Sequence, residues 1–408
     1  MYKKYSIAMG AAFAVGLAGF AGGATAKVDG DTIILGSALS FTGKYSAAGL
    51  HTKKGYDFAV NRINEKGGVK VGGKSYKIAI KYYDDESQGS RAAQLTERLI
   101  NQDGVQFMLG PYSTGMTKAV APVTEKYKIP MVEAEGASRA LFTQGYKYMF
   151  AVLSTSEFYL APILDLVAQN AKAGWKAPSD VTIGMAFEGD GFSMDVRAGV
   201  IDVAKKYRMK IVIDDKLPAD LSDMSATLTK FKALKPDVLL VSGHDKGAAT
   251  AARQMEEMQI QAKYVGITHC EASKMPAKFP KASVGVLCPT QWLPGIPNKD
   301  EYFGNASQYN ADVMKAYPEY KDVPYQLTQA SAAVLVFKDA FERANSFDRE
   351  KVRDALAATD MDTFYGGIKF APEGNNIAKP MFYRQIDEAG QYQPIVKASD
   401  IKARKVAY

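Results

Sequence analysis

Histidine occurs only three times in the 408 residues, at positions 51, 244 and 269, and cysteine only twice, at 270 and 288. No H-x-x-x-H or C-x-x-C spacing can be built from them, which argues against a contiguous zinc motif or a His-paired metal centre. Catalytic signatures are equally scarce. There is no G-x-S-x-G, no H-E-x-x-H, and no Ser or Cys with a His partner in a known order. Past the first two dozen residues no apolar run approaches the roughly 20 residues a membrane helix needs. Low-complexity tracts and repeats of solenoid period are absent. The Lys and Arg excess behind the net charge of +7 is spread along the chain rather than gathered into a stripe. It reads as a solvated surface and not as a nucleic-acid footprint.

What is present is ordinary for a folded chain: 47% of residues are apolar and 23% charged. At roughly 100–200 residues per domain, the length suggests two or three compact units. The N-terminus carries Lys3 and Lys4, an apolar Gly/Ala-rich stretch from Ile7 to Phe20, and Ala24-Thr25-Ala26 as an A-x-A site. This pattern reads as a secretory signal (residues 1–26) cleaved after Ala26. The remaining 382 residues keep a charge of +5, because two lysines and no acids are removed. Export to an oxidising compartment makes a Cys270–Cys288 disulfide an expectation, two buried free thiols being the alternative.

From Thr32 to about Cys288, short β-branched or aromatic runs alternate with helical periods. The strand-like runs are 32–39, 76–83, 105–109, 130–133, 148–152, 181–187, 210–214, 237–241, 264–268 and 284–288. Between them, Tyr56, Ala59, Val60 and Ile63 recur at i, i+3, i+4, i+7, as do Met116, Ala119, Val120 and Val123. Such alternation implies parallel sheets covered on both faces. Ten strands are too many for one comfortable sheet. The rhythm breaks after Val152, and again where Pro289, Pro294, Gly295 and Pro297 follow Cys288. Helical segments then dominate from about 300 to 358, and strand-like runs at 367–370 and 381–386 flank a Gly-Asn-Asn turn. Two α/β lobes with several crossings account for this order.

Gly68 to Ser75 fits G-x-x-x-x-G-K-[ST], but a helix precedes it and a strand follows, the reverse of a phosphate-binding loop, so it reads as a turn. Gly189 to Met194 lacks the third glycine of a dinucleotide fingerprint. Glu133 and Glu135 stand two apart at a strand end, so their side chains share a face, a pairing open to acid–base chemistry or to a polar cleft rim. The stretch Gly110-Pro-Tyr-Ser-Thr-Gly-Met-Thr117 leaves a strand and opens a helix. Ser113 or Thr114 is a candidate N-cap, and hydroxyls beside orphan N–H groups suit a carboxylate. Gly136-Ala137-Ser138 repeats the arrangement after the next strand. Two such ends at the carboxyl edge of a parallel sheet form a ligand position of open α/β folds.

Ile63-Asn-Glu-Lys-Gly-Gly-Val69, Ile80-Lys-Tyr-Tyr-Asp-Asp-Glu86 and Val120-Ala-Pro-Val-Thr-Glu-Lys-Tyr-Lys-Ile-Pro-Met131 resemble the branched-chain amino-acid-binding proteins, type I periplasmic solute-binding proteins of ABC importers. The resemblance covers 32–386. It implies an α/β fold of two Rossmann-like lobes with parallel sheets, joined by three hinge crossings and closing over a ligand. The crossings would fall near 152–155, 289–293 and 363–366. Lobe 1 would then hold 27–152 and 290–364, and lobe 2 would hold 153–289 and 365–408. The implied function is periplasmic capture of an amino acid or related solute for delivery to inner-membrane permease subunits, by a monomer with no cofactor or metal and no nucleic-acid partner. Alternatives are a ligand-sensing receptor component, a binder of aromatic acids or amides, and an exported hydrolase using Glu133 and Glu135.

By position, Ser113 and Thr114 match the grip on the ligand's α-carboxylate, and Glu135, Gly136, Ala137 and Ser138 the second clamp. Phe192 matches an aromatic over the ligand, and His244 a cleft-facing loop residue. Tyr45 and Tyr325 are further candidates. The ammonium partner is left open between Glu271 and His269. Glu135 departs from the small residue expected there. Its charge would repel a carboxylate, so it must turn away or meet an amine, amide or phenol.

Overall fold

The computed structural model describes residues 28–405 apart from Ala272; the expected signal segment and its cleavage point lie outside the described residues. Two seven-stranded sheets form the frame. The first runs Val69–Val71, Lys74–Asp84, Thr32–Leu39, Met108–Leu109, Met131–Glu133 and Met149–Ala151, with Val28–Asp29 paired onto Thr32–Leu39. The second runs Tyr392–Ile395, Phe382–Ile386, Val286–Thr290, Tyr264–Ile267, Val238–Ser242, Thr182–Glu188 and Lys210–Leu217. Central pairings are parallel, as between Thr32–Leu39 and Lys74–Asp84, and as from Val238↔Ile183 to Ser242↔Phe187. Parallel strands are shielded on both faces, and Val238–Ser242 is buried throughout.

The Gly68–Ser75 stretch is a β-hairpin: Val69–Val71 turns back antiparallel onto Lys74–Asp84 through Gly72 and Gly73, both at positive φ. In the first lobe the helix Tyr325–Ala344 is buried on nearly every face and lies against Ser46–Glu65. A Cβ on Gly55 would meet the Leu327 carbonyl oxygen at 2.1 Å, so glycine permits that approach, and Ser331 Oγ donates to the Gly55 carbonyl at 2.7 Å. One apolar core spans this lobe and reaches into the second, where a smaller cluster packs around Phe231, Val241 and Met255. Cys270 and Cys288 form a disulfide that ties the loop after Tyr264–Ile267 to Val286–Thr290.

The third crossing corrects the expected boundary. Gly366–Lys369 pairs antiparallel with Asp360–Thr363, and Asn375 bridges Ala151 of the first sheet. Residues 365–376 therefore stay with the first lobe, and the chain reaches the second sheet only at Phe382–Ile386, which pairs with Val286–Thr290. The reason is local: the Thr363–Gly366 turn folds the chain back into a hairpin instead of releasing it. The three crossings are stitched together. Ser154 N–H donates to Gln291 Oε1 at 3.1 Å, Gln291 Nε2 returns a bond to the Ser154 carbonyl, and Ser154 Oγ donates to the Lys379 carbonyl at 2.8 Å. The Lys379 ammonium donates to the Gln291 carbonyl.

Candidate functional site

Strands of both sheets end facing the gap between the lobes, and a small, tightly closed cavity, partly open to solvent, lies there. Tyr112, Ser113, Thr114, Glu135, Tyr325 and Gln329 come from the first lobe; Tyr159, Phe192, His244 and His269 come from the second. Among the described residues no Lys or Arg lines it. The site is a box of aromatic and imidazole rings with four polar side chains on the first-lobe side.

Ser113 stands at φ +81° as the N-cap of the helix Thr114–Lys126, and its hydroxyl accepts the Met116 N–H at 3.4 Å. The helix thus points its positive end, with two hydroxyl residues, into the cavity. Thr114 Oγ1 accepts the Ser138 N–H at 3.2 Å, joining the first loop to the second.

The second loop is held from inside by Glu133. This fully buried carboxyl accepts the N–H groups of Glu135 and of Gly136 (2.7 Å), and its other oxygen lies 2.9 Å from the Thr117 hydroxyl. Burial pushes Glu133 up to about 7 against those hydrogen bonds. The N–H groups expected to form a second clamp are consumed there. Ser138 caps the short turn Arg139–Thr143, and its hydroxyl donates to Asp195 of the second-lobe helix Gly191–Tyr207 at 2.6 Å. Gly136, Ala137 and Ser138 accordingly shape the loop and do not line the cavity.

Glu135 does line it. Burial drives its carboxyl well above the ordinary range; Thr52 Oγ1 and Gln329 Nε2 each donate to it at 2.6 Å and partly oppose that rise, while the Glu133 charge adds to it. The amide of Gln329 is the donor its position demanded. Tyr365 OH lies 3.2 Å from Gln329 Oε1 and 3.3 Å from Gln291 Oε1, so polar contacts run from the cavity to the crossings.

On the second lobe Phe192 packs edge-on to Tyr159 at 5.0 Å and to His269 at 5.3 Å. His269 Nδ1 lies 2.9 Å from the Gly243 carbonyl, which can only accept, so Nδ1 carries the proton and Nε2 accepts from Tyr112 OH at 3.5 Å. Burial first, then the neighbouring His244, press its pKa down to about 3, and the ring is neutral. His244 is the opposite case. Burial disfavours its charge, but the hydrogen bond from Nε2 to Asp190 Oδ2 at 2.8 Å outweighs that and holds its pKa above the ordinary value. Asp190, which also caps Gly191–Tyr207 by accepting the Ser193 N–H, is held at about 2 despite burial.

Of the residues expected from sequence, Ser113, Thr114, Glu135, Phe192, His244 and Tyr325 meet at the cavity. Tyr45 sits just behind it, edge-on to His244 at 5.1 Å and to Tyr112 at 5.6 Å. Glu271 is elsewhere. It pairs with Arg384, which also reaches Asp322 of the first lobe through bonds of 3.1 and 2.8 Å, so its charge is already matched. His269 takes the cavity position instead. Tyr112, Tyr159 and Gln329 were not singled out from sequence. Tyr112 adjoins Ser113, and Gln329 is one of several polar residues on a helix buried on nearly every face, where each needs a partner.

A profile of the periplasmic binding protein family matches residues 32–391. A leucine-, isoleucine-, valine-, threonine- and alanine-binding protein of Pseudomonas aeruginosa is 25% identical over 366 residues, spanning 89% of this chain and 91% of the relative. A branched-chain amino acid transporter substrate-binding protein from Streptococcus pneumoniae, solved with isoleucine, superposes with a TM-score of 0.76 at 20% identity, over 89% of this chain and 99% of that one. An ABC transporter solute-binding protein of R. palustris in complex with benzoate gives 0.74 at 17% identity, over 91% and 97%. With two parallel-rich lobes around a shared cavity and a family match across nearly all of its described length, the chain belongs to the periplasmic binding protein family.

Proposed function

We propose that this protein captures one small carboxylate-bearing solute in the periplasm and presents it, unchanged, to the permease of an ABC importer. The observation that carries this reading is the cavity itself. Six of its ten lining residues belong to one lobe and four to the other, so a bound solute contacts both and favours the closed state. With the lobes as they stand the cavity holds little more than a water, far below the roughly 300 Å³ at which ligand sites begin, so a solute enters only as the lobes part. The solute's carboxylate is placed at Ser113 and Thr114, where the helix end and hydroxyls supply donors. Its body lies among Tyr112, Tyr159, Phe192 and Tyr325. The segment 1–26 would direct export, and a monomer suffices for the cycle.

An amino acid is the first reading, with Glu135 as acceptor for the ammonium. Each carboxylate oxygen has two lone pairs, so Thr52 and Gln329 leave capacity for the ligand. An aromatic acid is the second reading, favoured by the four aromatic side chains of the lining. The two separate on protons. An ammonium would ionise Glu135 and release a proton on binding; benzoate would not. Calorimetry in two buffers of different ionisation enthalpy, with leucine, isoleucine, valine, alanine, threonine, benzoate and benzamide, is the test. Saturable one-to-one binding of a carboxylate with the compound recovered intact supports the proposal. Binding of benzamide alone, or turnover of the bound compound, refutes it.

A further inference from the structure

We propose that Glu188, Asp190 and His244 form a site for one divalent transition-metal ion, Zn²⁺ or Mn²⁺, in the second-lobe wall of the cleft. The three residues leave the carboxyl ends of two adjacent parallel strands, Thr182–Glu188 and Val238–Ser242, whose register pairs Phe187 with Ser242. Both loops therefore emerge at one edge, and one ligand atom from each residue falls within 4.8 Å of the other two. Donors bonded to a tetrahedral ion at about 2.0–2.2 Å stand roughly 3.4 Å apart, so closing on an ion requires each side chain to move by about an ångström or less.

The second observation is unmet bonding capacity. Glu188 is 2% exposed; its carboxyl meets the Asp190 carboxyl and the His244 backbone N–H, and among the described residues its Oε2 finds no other donor, while His244 Nδ1 and Asp245 Oδ1 are also buried without partners. A buried carboxylate oxygen left unpaired costs about 1–3 kcal/mol or more, so its surroundings call for a cation or a donor. The fold keeps room for that carboxylate. A Cβ on Gly243 would come within 3.0 Å of Glu188 Oε1 and one on Gly247 within 2.8 Å. Three carboxyl groups, of Glu188, Asp190 and Asp245, surround a single imidazole. Besides His244, Lys44 of the other lobe interacts electrostatically with Glu188 and Asp190.

Two carboxylates and an imidazole are the donor set of zinc and manganese. Without the ion, the His244 proton bridges Nε2 and Asp190 Oδ2. On binding, the ion takes that place, the Nε2 proton passes to solvent, and the neutral ring becomes a ligand. The ring that the ion fixes is also a wall of the solute cavity. Donors 54 residues apart leave no spacing motif to read in the sequence.

The proposal does not depend on the solute assignment, and its test uses no solute. Tag-free protein treated with EDTA and dialysed is titrated calorimetrically with ZnCl₂ and, separately, with MnCl₂. The expected result is saturable one-to-one binding of at least one ion, weakened about tenfold or more in Glu188→Gln and in Asp190→Asn and unchanged in His51→Ala. Absence of one-to-one binding for both ions, or wild-type affinity in both carboxylate variants, overturns it. Should those variants fail to fold, crystals of the wild-type chain soaked in Zn²⁺ decide. Anomalous density at His244 Nε2 supports the site, and density only elsewhere overturns it.

Discussion

Glu133 offers the sharpest quantitative prediction, because its hydrogen bonds specify where its proton sits. Thr117 has one hydroxyl proton and two acceptors at 2.9 Å, the Ser113 carbonyl and Glu133 Oε2. If Glu133 is protonated on Oε2, it donates to Thr117 Oγ1, whose own proton goes to Ser113, while Oε1 keeps the N–H groups of Glu135 and Gly136. Burial raises this carboxyl from 4.5 to about 7. A raised carboxyl means that the folded state binds the proton more tightly than the unfolded one. Stability is therefore full below about pH 4.5, falls as pH rises towards 7, and stays lower above it. At 1.36 kcal/mol per unit, the Glu133 contribution lost over that window is about 3 kcal/mol. Glu133→Gln places an amide where the protonated Oε2 stood and keeps every bond, so this slope should vanish while the fold stays intact. Glu133→Ala instead orphans two buried N–H groups at about 1–3 kcal/mol each and should destabilise the chain at every pH. The assay is denaturant unfolding of wild type and Glu133→Gln at pH 5 and pH 8. The wild type should lose about 2.5 kcal/mol more than the variant between the two, part of the roughly 3 kcal/mol being already gone at pH 5. Slopes equal within about 0.5 kcal/mol would refute the protonated-carboxyl reasoning.

Thr114→Ala should weaken solute binding by about 1–3 kcal/mol, with Ser138 N–H left unmet as well, and calorimetry would show any failure of that loss. Glu135→Gln should lower affinity for ammonium-bearing solutes and spare benzoate; an unchanged preference order would exclude contact between Glu135 and the ligand. Asp322→Asn removes one partner of the half-exposed interlobe pair with Arg384 and should cost about 0.2–1 kcal/mol of solute affinity, an effect that fades in high salt. Cys288→Ser opens the bridge to Cys270 across a separation of 18 residues and should lower unfolding free energy by about 3 kcal/mol; a melting temperature unaffected by reductant would contradict this.

The periodicities of the chain were enough to place its central parallel strands, because a buried parallel strand must be a short apolar run and an exposed-faced helix must repeat near 3.6; the edge strands Val69–Val71 and Tyr392–Ile395 carried no such run and were not read. The helix start at Ser113–Thr114 was equally legible, since capping is a local bargain between one side chain and the next turn. Long-range pairings were not. Whether residues 365–376 belong to one lobe or the other depends on the Gly366–Lys369 hairpin and the bridge from Asn375 to Ala151, more than 200 residues away in sequence. Glu271 looked free for an ammonium until Arg384, 113 residues further on, was found against it.

The scarcity of histidine is informative at both levels. By itself the sequence determined that no contiguous metal motif exists and that the chain alternates strand and helix in two lobes, because spacing and periodicity are properties of neighbours. Only the tertiary structure decided what two of the three histidines do. His269, with its Nδ1 on a backbone carbonyl, is buried neutral, whereas His244, with an aspartate at Nε2, is pushed towards its charged form. The same imidazole is pushed in opposite directions 25 residues apart, because its protonation answers to the groups folding brings against it and not to the residues beside it in the chain.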